Sequence, residues 1–301
     1  MKSLPVILLL LLASAVRADV LTATWNIRWF PSGRAEHRAP PEVEKATIQG
    51  AAEVVRSELA KRRKPSDHVI LFFQEMRDES VCSNLVATIG DKTLSLVSMS
   101  AFREFDRRLG WQQSGIVSDM PVVEASFSYW RRSHKVLPPR GFTYVLLDGG
   151  SDGLIACYCV HLKSNYGATK PEIRESNRLK RELAMEHFRA LTKKVQAPDG
   201  RRVTRFILAG DFNTDPFSGV FKEEKTIDIL TDAGFVNCFA GMPLEARGTH
   251  PGNTRYPDST LDFIFHRGFV GQSDCELSPS VPLSDHRMVW LRLRGKVKGE
   301  R

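Results

Sequence analysis

The chain runs to 301 residues, 42% hydrophobic and 26% charged, long enough to bury a sizeable core as one large domain or two small ones. Its formal net charge of +8 tilts it toward polyanionic partners such as nucleic acid or acidic membrane surfaces. Five cysteines, an odd number without metal-type spacing to histidine, exclude a fully paired disulfide scaffold and argue against a structural zinc site.

Met1-Lys2, the apolar run from Leu4 to Leu12 and the small residues after it read as an export signal. Val16-Arg17-Ala18 is the expected cleavage site, with Ala13-Ser14-Ala15 as the second choice. The run is too short to span a bilayer comfortably, and no other stretch approaches that length. Residues 1–18 are therefore expected to be a signal peptide. Residues 19–301 are expected to form a single domain, secreted or periplasmic and without stable membrane association.

Residues 19–26 read as a strand. Helical spacing of Val43, Ala46, Ile48, Ala51, Val54, Val55 and Leu59 predicts a helix over residues 42–63. A buried strand over 68–73 ends at Gln74-Glu75, and a short helix follows over 79–89. The pattern then becomes β-dominated, with strands over 114–118, 122–130, 142–147 and 154–160. Within the last of these, Cys157 and Cys159 alternate with Ala156, Tyr158 and Val160, so they should share one face of a buried strand. Residues 171–194 are the clearest helix, with Pro171 in the first turn and Ile173, Leu179, Leu183, Phe188 and Leu191 as apolar positions. A strand over 204–209, a helix over 223–233 and strands over 261–266 and 288–293 complete the pattern. Strands and helices mix throughout, which implies a layered α/β sandwich.

The strand ends carry the chemistry: Asn26, Glu75, His161, Asp211 with Asn213, Asp262, and Asp285-His286. Asp211 and Asn213 are two positions apart, so both side chains leave the strand on one side. Each residue alone has an ordinary reading as a turn, cap or structural histidine. Asp262 inside Leu261-Asp262-Phe263-Ile264-Phe265 does not, because a carboxylate in a buried strand requires a partner, and His286 is the candidate. Carboxylates and amide oxygens suit Mg²⁺, with Mn²⁺ or Ca²⁺ as alternatives, better than zinc. Water attack on a phosphate ester uses these parts.

In this order, Thr24-Trp25-Asn26-Ile27-Arg28, Gln74-Glu75, His161-Leu162-Lys163-Ser164, Gly210-Asp211-Phe212-Asn213, Leu261-Asp262-Phe263 and Ser284-Asp285-His286 resemble the endonuclease/exonuclease/phosphatase superfamily. The resemblance covers nearly all of residues 19–301. It implies an α/β, four-layer sandwich: two β-sheets face to face, flanked by helices. Asn26-Ile27-Arg28 and Gln74-Glu75-Met76-Arg77-Asp78 are most similar to deoxyribonuclease I-like members. His161-Leu162-Lys163-Ser164-Asn165 is closer to secreted bacterial members, and no cysteine follows Gly210-Asp211-Phe212-Asn213-Thr214-Asp215, so a disulfide of deoxyribonuclease I is missing there.

By that resemblance Glu75 is the principal metal ligand, helped by Asn26, and Asp285 completes the metal position. Asp211 orients the attacking water with Asn213 beside it. His161 and His286 flank the scissile phosphate, and Asp262 holds His286. Arg28 contacts phosphate, Arg77 reaches toward the minor groove, and Lys163 touches substrate. The expected activity is that of an Mg²⁺-dependent endonuclease on DNA, with RNA as a further candidate, low sequence specificity and a monomeric chain with no obligate protein partner. The enzymatic alternative is a sphingomyelinase- or inositol-phosphatase-like phosphoesterase, and a non-catalytic binding module or toxin subunit ranks last.

Overall fold

The computed structural model describes residues 18–35, 37–104, 106–252, 257–273 and 275–294. The expected signal peptide lies outside the described residues apart from Ala18. In chain order the elements are β1 (Val20–Phe30), α1 (Pro41–Arg62), β2 (His68–Met76), α2 (Glu79–Ile89), β3 (Ser95–Met99), β4 (Gln113–Ser118), β5 (Val122–Tyr129), β6 (Gly141–Asp148), β7 (Leu154–His161) and α3 (Pro171–Thr192). They continue with β8 (Arg205–Asp211), α4 (Thr226–Asp232), β9 (Val236–Asn237), β10 (Asp262–Arg267), β11 (Gly271–Gln272), β12 (Glu276–Leu277) and β13 (Val289–Arg294). The short strands β3, β9, β11 and β12 are additions to the sequence-based pattern.

One sheet has the order β11-β13-β1-β2-β4-β3, with β12 also on β13; the other has the order β5-β6-β7-β8-β10-β9. Ile70, Phe72 and Ile116 of the first meet Val145, Cys157 and Cys159 of the second in a common core. Alternation places Cys157 and Cys159 toward the first sheet, where Gln74 Nε2 donates to Cys159 Sγ (3.1 Å). Tyr158 faces the other way, its ring 5.0 Å from that of Phe188 on α3. α1 and α2 cover the outer face of the first sheet through Ala51, Val55, Leu59, Val81 and Leu85. α3 and α4 cover the second through Ala184, Met185, Phe188, Ile227 and Leu230. The result is the expected four-layer sandwich.

All five cysteines are unpaired and buried. No described helix is long and apolar enough to cross a membrane. α3 buries only part of the face its apolar spacing suggested, with Phe188 in the core and Leu191 packed against it. Ile173 and Leu179 are exposed, while Asn177, Arg181, Ala184, Met185 and Phe188 are buried. The reason is electrostatic: Arg181 forms a buried ion pair with Glu224 (2.5 Å), donates to Lys163 O (2.6 Å) and stacks on Phe221. A buried cation with such partners outweighs the two exposed aliphatics, Ile173 and Leu179, in fixing the helix rotation.

Candidate active site

Strand register builds the site. β7 and β8 are parallel with His161 opposite Asp211, and β8 and β10 are antiparallel with Asp211 opposite Asp262. His161, Asp211 and Asp262 therefore form one row across three adjacent strand ends. Gly210 permits this pairing. Its φ is +148°, and a Cβ there would lie 1.9 Å from Val160 O. In the facing sheet, β1 and β2 are parallel with Asn26 opposite Gln74, which puts Glu75 at the same edge.

Both of these strands lose register at the site. β1 shifts against β2 between Asn26 and Phe30, and β2 shifts against β4 between Phe73 and Met76. Arg28, Trp29 and Glu75 have φ of +26°, +47° and +60°, and Asn213 has +52°. Asn tolerates the left-handed region, but for glutamate it costs about 1–3 kcal/mol. The surrounding bonds hold Glu75 there: Trp29 N–H donates to Oε2 (2.8 Å) and Asn26 Nδ2 to Oε1 (3.1 Å). Asn26 Nδ2 also donates to Asp211 Oδ2 (2.9 Å), so this one amide ties the two sheets together. Asn213 N–H donates to Asp211 Oδ1 (2.8 Å), and its side chain caps Leu162 O (3.2 Å).

His286 and Asp262 share a 2.7 Å contact from Nδ1 to Oδ2, and Thr249 Oγ1 donates to the same oxygen at 2.7 Å. His286 Nε2 lies 4.0 Å from Asp211 Oδ2 and 3.9 Å from Asp285 Oδ1. His161 Nε2 lies 3.7 Å from Glu75 Oε1 and 3.6 Å from Asp211 Oδ2. Two histidines thus approach Asp211 from opposite sides.

Their charge states differ. Burial favours the neutral ring at His286, but the Asp262 carboxylate, followed by Asp211 and Asp285, overturns this and raises it to about 10. Burial, with the charge of Arg140 next, holds His161 well below the usual 6.5. Burial first and the Asp262 charge second raise Asp211 to about 7, against the opposing pull of His286, Asn26 and the Asn213 N–H. The site thus pairs a histidine that favours its charged form and one that favours its neutral form with a carboxylate whose charge burial and Asp262 disfavour.

The structure brings together Asn26, Glu75, His161, Asp211, Asn213, Asp262, Asp285 and His286. Arg28 stands at the rim, its side chain 54% exposed and its Nε 3.6 Å from Asp285. Lys163 is half-buried and has no carboxylate partner among the described residues; burial and then the charges of Arg140, Lys180 and Arg181 lower its pKa. Arg77 is placed elsewhere than expected. Its guanidinium is bound to Glu44 of α1 and to Asp78, the N-cap of α2, and is only 14% exposed, so it ties the helices to β2.

Three further residues shape the site and carried no mark in the sequence. Arg140 donates to His161 O (3.1 and 3.0 Å) and Leu162 O (3.0 Å), clamping the strand end beneath the histidine. Thr249 Oγ1 gives Asp262 Oδ2 a second partner beside His286. His250 packs edge-on against His286 with ring centroids 4.9 Å apart, and its Nε2 lies 4.0 Å from Asp285. Thr249 and His250 come from the segment that leads into β10, 13 and 12 residues before Asp262, in a stretch without periodicity or spacing to single them out.

The model of the endonuclease/exonuclease/phosphatase family matches residues 23–286, from β1 to His286 itself. The chain belongs to that family. Members of the endonuclease/exonuclease/phosphatase family are typically metal-dependent phosphoesterases, and this chain is a phosphoesterase of that superfamily. No curated protein sequence matches it. Among solved structures, the fold is similar to an endonuclease/exonuclease/phosphatase from Beutenbergia cavernae, at 17% identity and TM-score 0.60, over 93% of this chain and 72% of that one. It is also similar to a 3′ phosphatase from Neisseria bound to product DNA hairpin, at 15% identity and TM-score 0.62, over 92% and 99% of the two chains. A third is sphingomyelinase C from Streptomyces griseocarneus, at 16% identity and TM-score 0.54, over 92% and 99%.

The family's divalent cation fits the donors present. Asp262 Oδ1 is buried without a hydrogen-bond partner, and the upward push on Asp211 from its neighbour Asp262 is repulsion that a cation relieves. Asp211, Asp262 and His286 form one candidate ligand group, and His250, Asp285 and His286 another. Glu75 falls outside both groups and lies beside Asn26 and His161. Asn26 Oδ1 accepts from Arg28 N–H (3.1 Å) and keeps a second lone pair for a cation.

Proposed function

We propose that the protein is an exported, Mg²⁺-dependent nuclease that hydrolyses DNA phosphodiesters with little sequence selectivity, with RNA as a further substrate. The observation that carries this reading is that Asp211 and His286 lie 4.0 Å apart with the His286 ring held by Asp262, so a carboxylate able to orient water and an imidazolium able to face phosphoryl oxygens share one site. Glu75 and Asn26 would hold the cation, with Asp285 near; when bound, it supplies positive charge against the phosphate oxygens. Asp211 orients water for in-line attack and accepts its proton. The Nε2–H of His286 faces the phosphoryl oxygens and the leaving oxygen, while Asp262 keeps its tautomer fixed. Neutral His161 donates a hydrogen bond without adding charge. Arg28, exposed at the rim, favours a phosphate-rich polymer as substrate. The export signal read in residues 1–18 supports a secreted or periplasmic location.

Exposed apolar side chains favour a second reading, hydrolysis of lipid headgroups. Tyr166 and Val220 are 98% and 71% exposed on the segments that follow β7 and β8, and Leu244 is 59% exposed after β9. A substrate panel separates the two. Supercoiled plasmid, oligoribonucleotide, sphingomyelin and an inositol phosphate are presented with Mg²⁺ and with EDTA. Fast, EDTA-sensitive plasmid nicking supports the nuclease, whereas sphingomyelin turnover without nicking replaces it with the lipid enzyme.

A further inference from the structure

α3 links the site to a second group of cations. Near its start, Asn177 Nδ2 donates to Ser164 O (3.1 Å) and Arg181 to Lys163 O (2.6 Å), which fixes the loop that follows His161. Ten positions beyond Asn177, His187 Nδ1 accepts the N–H of Arg131 (3.3 Å), which fixes the turn after β5. At ~1.5 Å per residue these anchors are about 15 Å apart. Lys180 and His187, seven positions apart and both half-buried, flank the buried face that holds Asn177 and Ala184, so Lys180 stands between the two anchors at its margin.

Lys163, Lys180, Arg131, Arg132 and Lys135 have no carboxylate within ion-pair distance among the described residues, and Arg131, Arg132 and Lys135 are exposed. Three of the four acids of α3 are engaged with other cations, Glu175 and Glu182 with Arg178 and Glu186 with Arg189, while Glu172 lies in the first turn of the helix. Glu224 is buried against Arg181. The charge of Lys180 reaches Lys163, and that of Arg131 reaches His187, which fits a continuous positive line.

We propose that Lys163, Lys180, Arg131 and Arg132 form a ridge that binds the backbone of one nucleic-acid strand beyond the scissile phosphate. At about 3.4 Å per phosphate on one strand, 15 Å spans roughly four phosphates. Such contacts add affinity and salt dependence without reading sequence. The inference rests on the nuclease reading and extends it.

The test is binding of a fluorescent 20-base-pair duplex in Mg²⁺ by protein silenced with His286→Ala. It compares Lys180→Glu/Arg131→Glu/Arg132→Glu with a charge-matched control at exposed positions on α1, the loop after α2 and the end of β13, Lys45→Glu/Lys92→Glu/Arg294→Glu. The ridge variant should weaken binding at least tenfold and flatten the plot of log K against log salt by about two to three units, near 0.9 per lost phosphate contact. The control should change both far less, with matching thermal melts for all three proteins. Equal losses in ridge and control variants would overturn the ridge and leave the nuclease reading standing. Absence of any salt-dependent duplex binding by the silenced protein would overturn both. Ridge-dependent binding to phosphatidylserine vesicles but not to duplex would assign the surface to a membrane and contradict the proposal.

Discussion

His286 Nδ1 lies 2.7 Å from Asp262 Oδ2, and that contact sets the charge of the site. The ring is buried, which alone favours neutrality, yet its pKa is pushed up to about 10 by Asp262. The folded value stands above the usual 6.5, so its stabilising contribution is full below about pH 6.5 and is lost as pH rises through about 10. Asp262→Asn should lower kcat by about 10²-fold and move the basic limb of the pH–rate profile toward neutrality. An NMR titration of the His286 ring in the cation-free protein should show the same downward move. An unchanged ring pKa in Asp262→Asn would remove Asp262 from this role.

Asp211 is strained in the opposite sense. Its folded pKa is about 7 against an ordinary 3.8, so the fold disfavours its charge. That penalty is absent below about pH 3.8 and complete above about pH 7. Asp211→Asn should therefore abolish activity yet raise stability at pH 8 in EDTA by ~1–3 kcal/mol, offset in part by one weakened hydrogen bond. Thermal melts at pH 8 and pH 3.5 measure this: the gain should appear at the higher pH and vanish at the lower.

The two arginines beyond the proposed ligands should part company. Arg28→Ala should raise KM for plasmid several-fold with little change in melting temperature, because its side chain is 54% exposed and its ion pair is with the half-exposed Asp285. Arg77→Ala should destabilise by about 1–2 kcal/mol, because it leaves Glu44 and Asp78 without their half-buried partner. Equal KM effects from the two would return Arg77 to the substrate surface.

How far these features could be read from sequence depends on how local their cause is. His161, Asp211 and Asp262 each end or begin an apolar run, and a period of two fixes where such side chains project. Their assembly into one row follows once β7, β8 and β10 are neighbours. Gly210 was legible as a turn residue but not as the contact point with Val160. The Arg77–Glu44 pair, the Arg181–Glu224 pair and the Arg140 clamp join distant segments, and no local pattern encodes a tertiary partner. The left-handed Glu75 was equally hidden, because it arises from two bulges in different strands.

Gly210 provides a structural control. Gly210→Ala places a methyl group against Val160 O in a backbone region unsuited to alanine, so it should cost about 3 kcal/mol or more. Circular dichroism melts should show that loss, and retained stability would mean that β7 and β8 can separate without harm.

The central claim is that Asp211 and His286 together hydrolyse DNA phosphodiesters. Initial rates of supercoiled plasmid nicking in Mg²⁺ test it directly, for the parent protein and for folded Asp211→Asn and His286→Ala. The account expects EDTA-sensitive nicking by the parent and at least a roughly hundredfold loss in each variant. Nicking that persists in both variants, or a parent that leaves plasmid intact while cleaving another phosphoester, would contradict it.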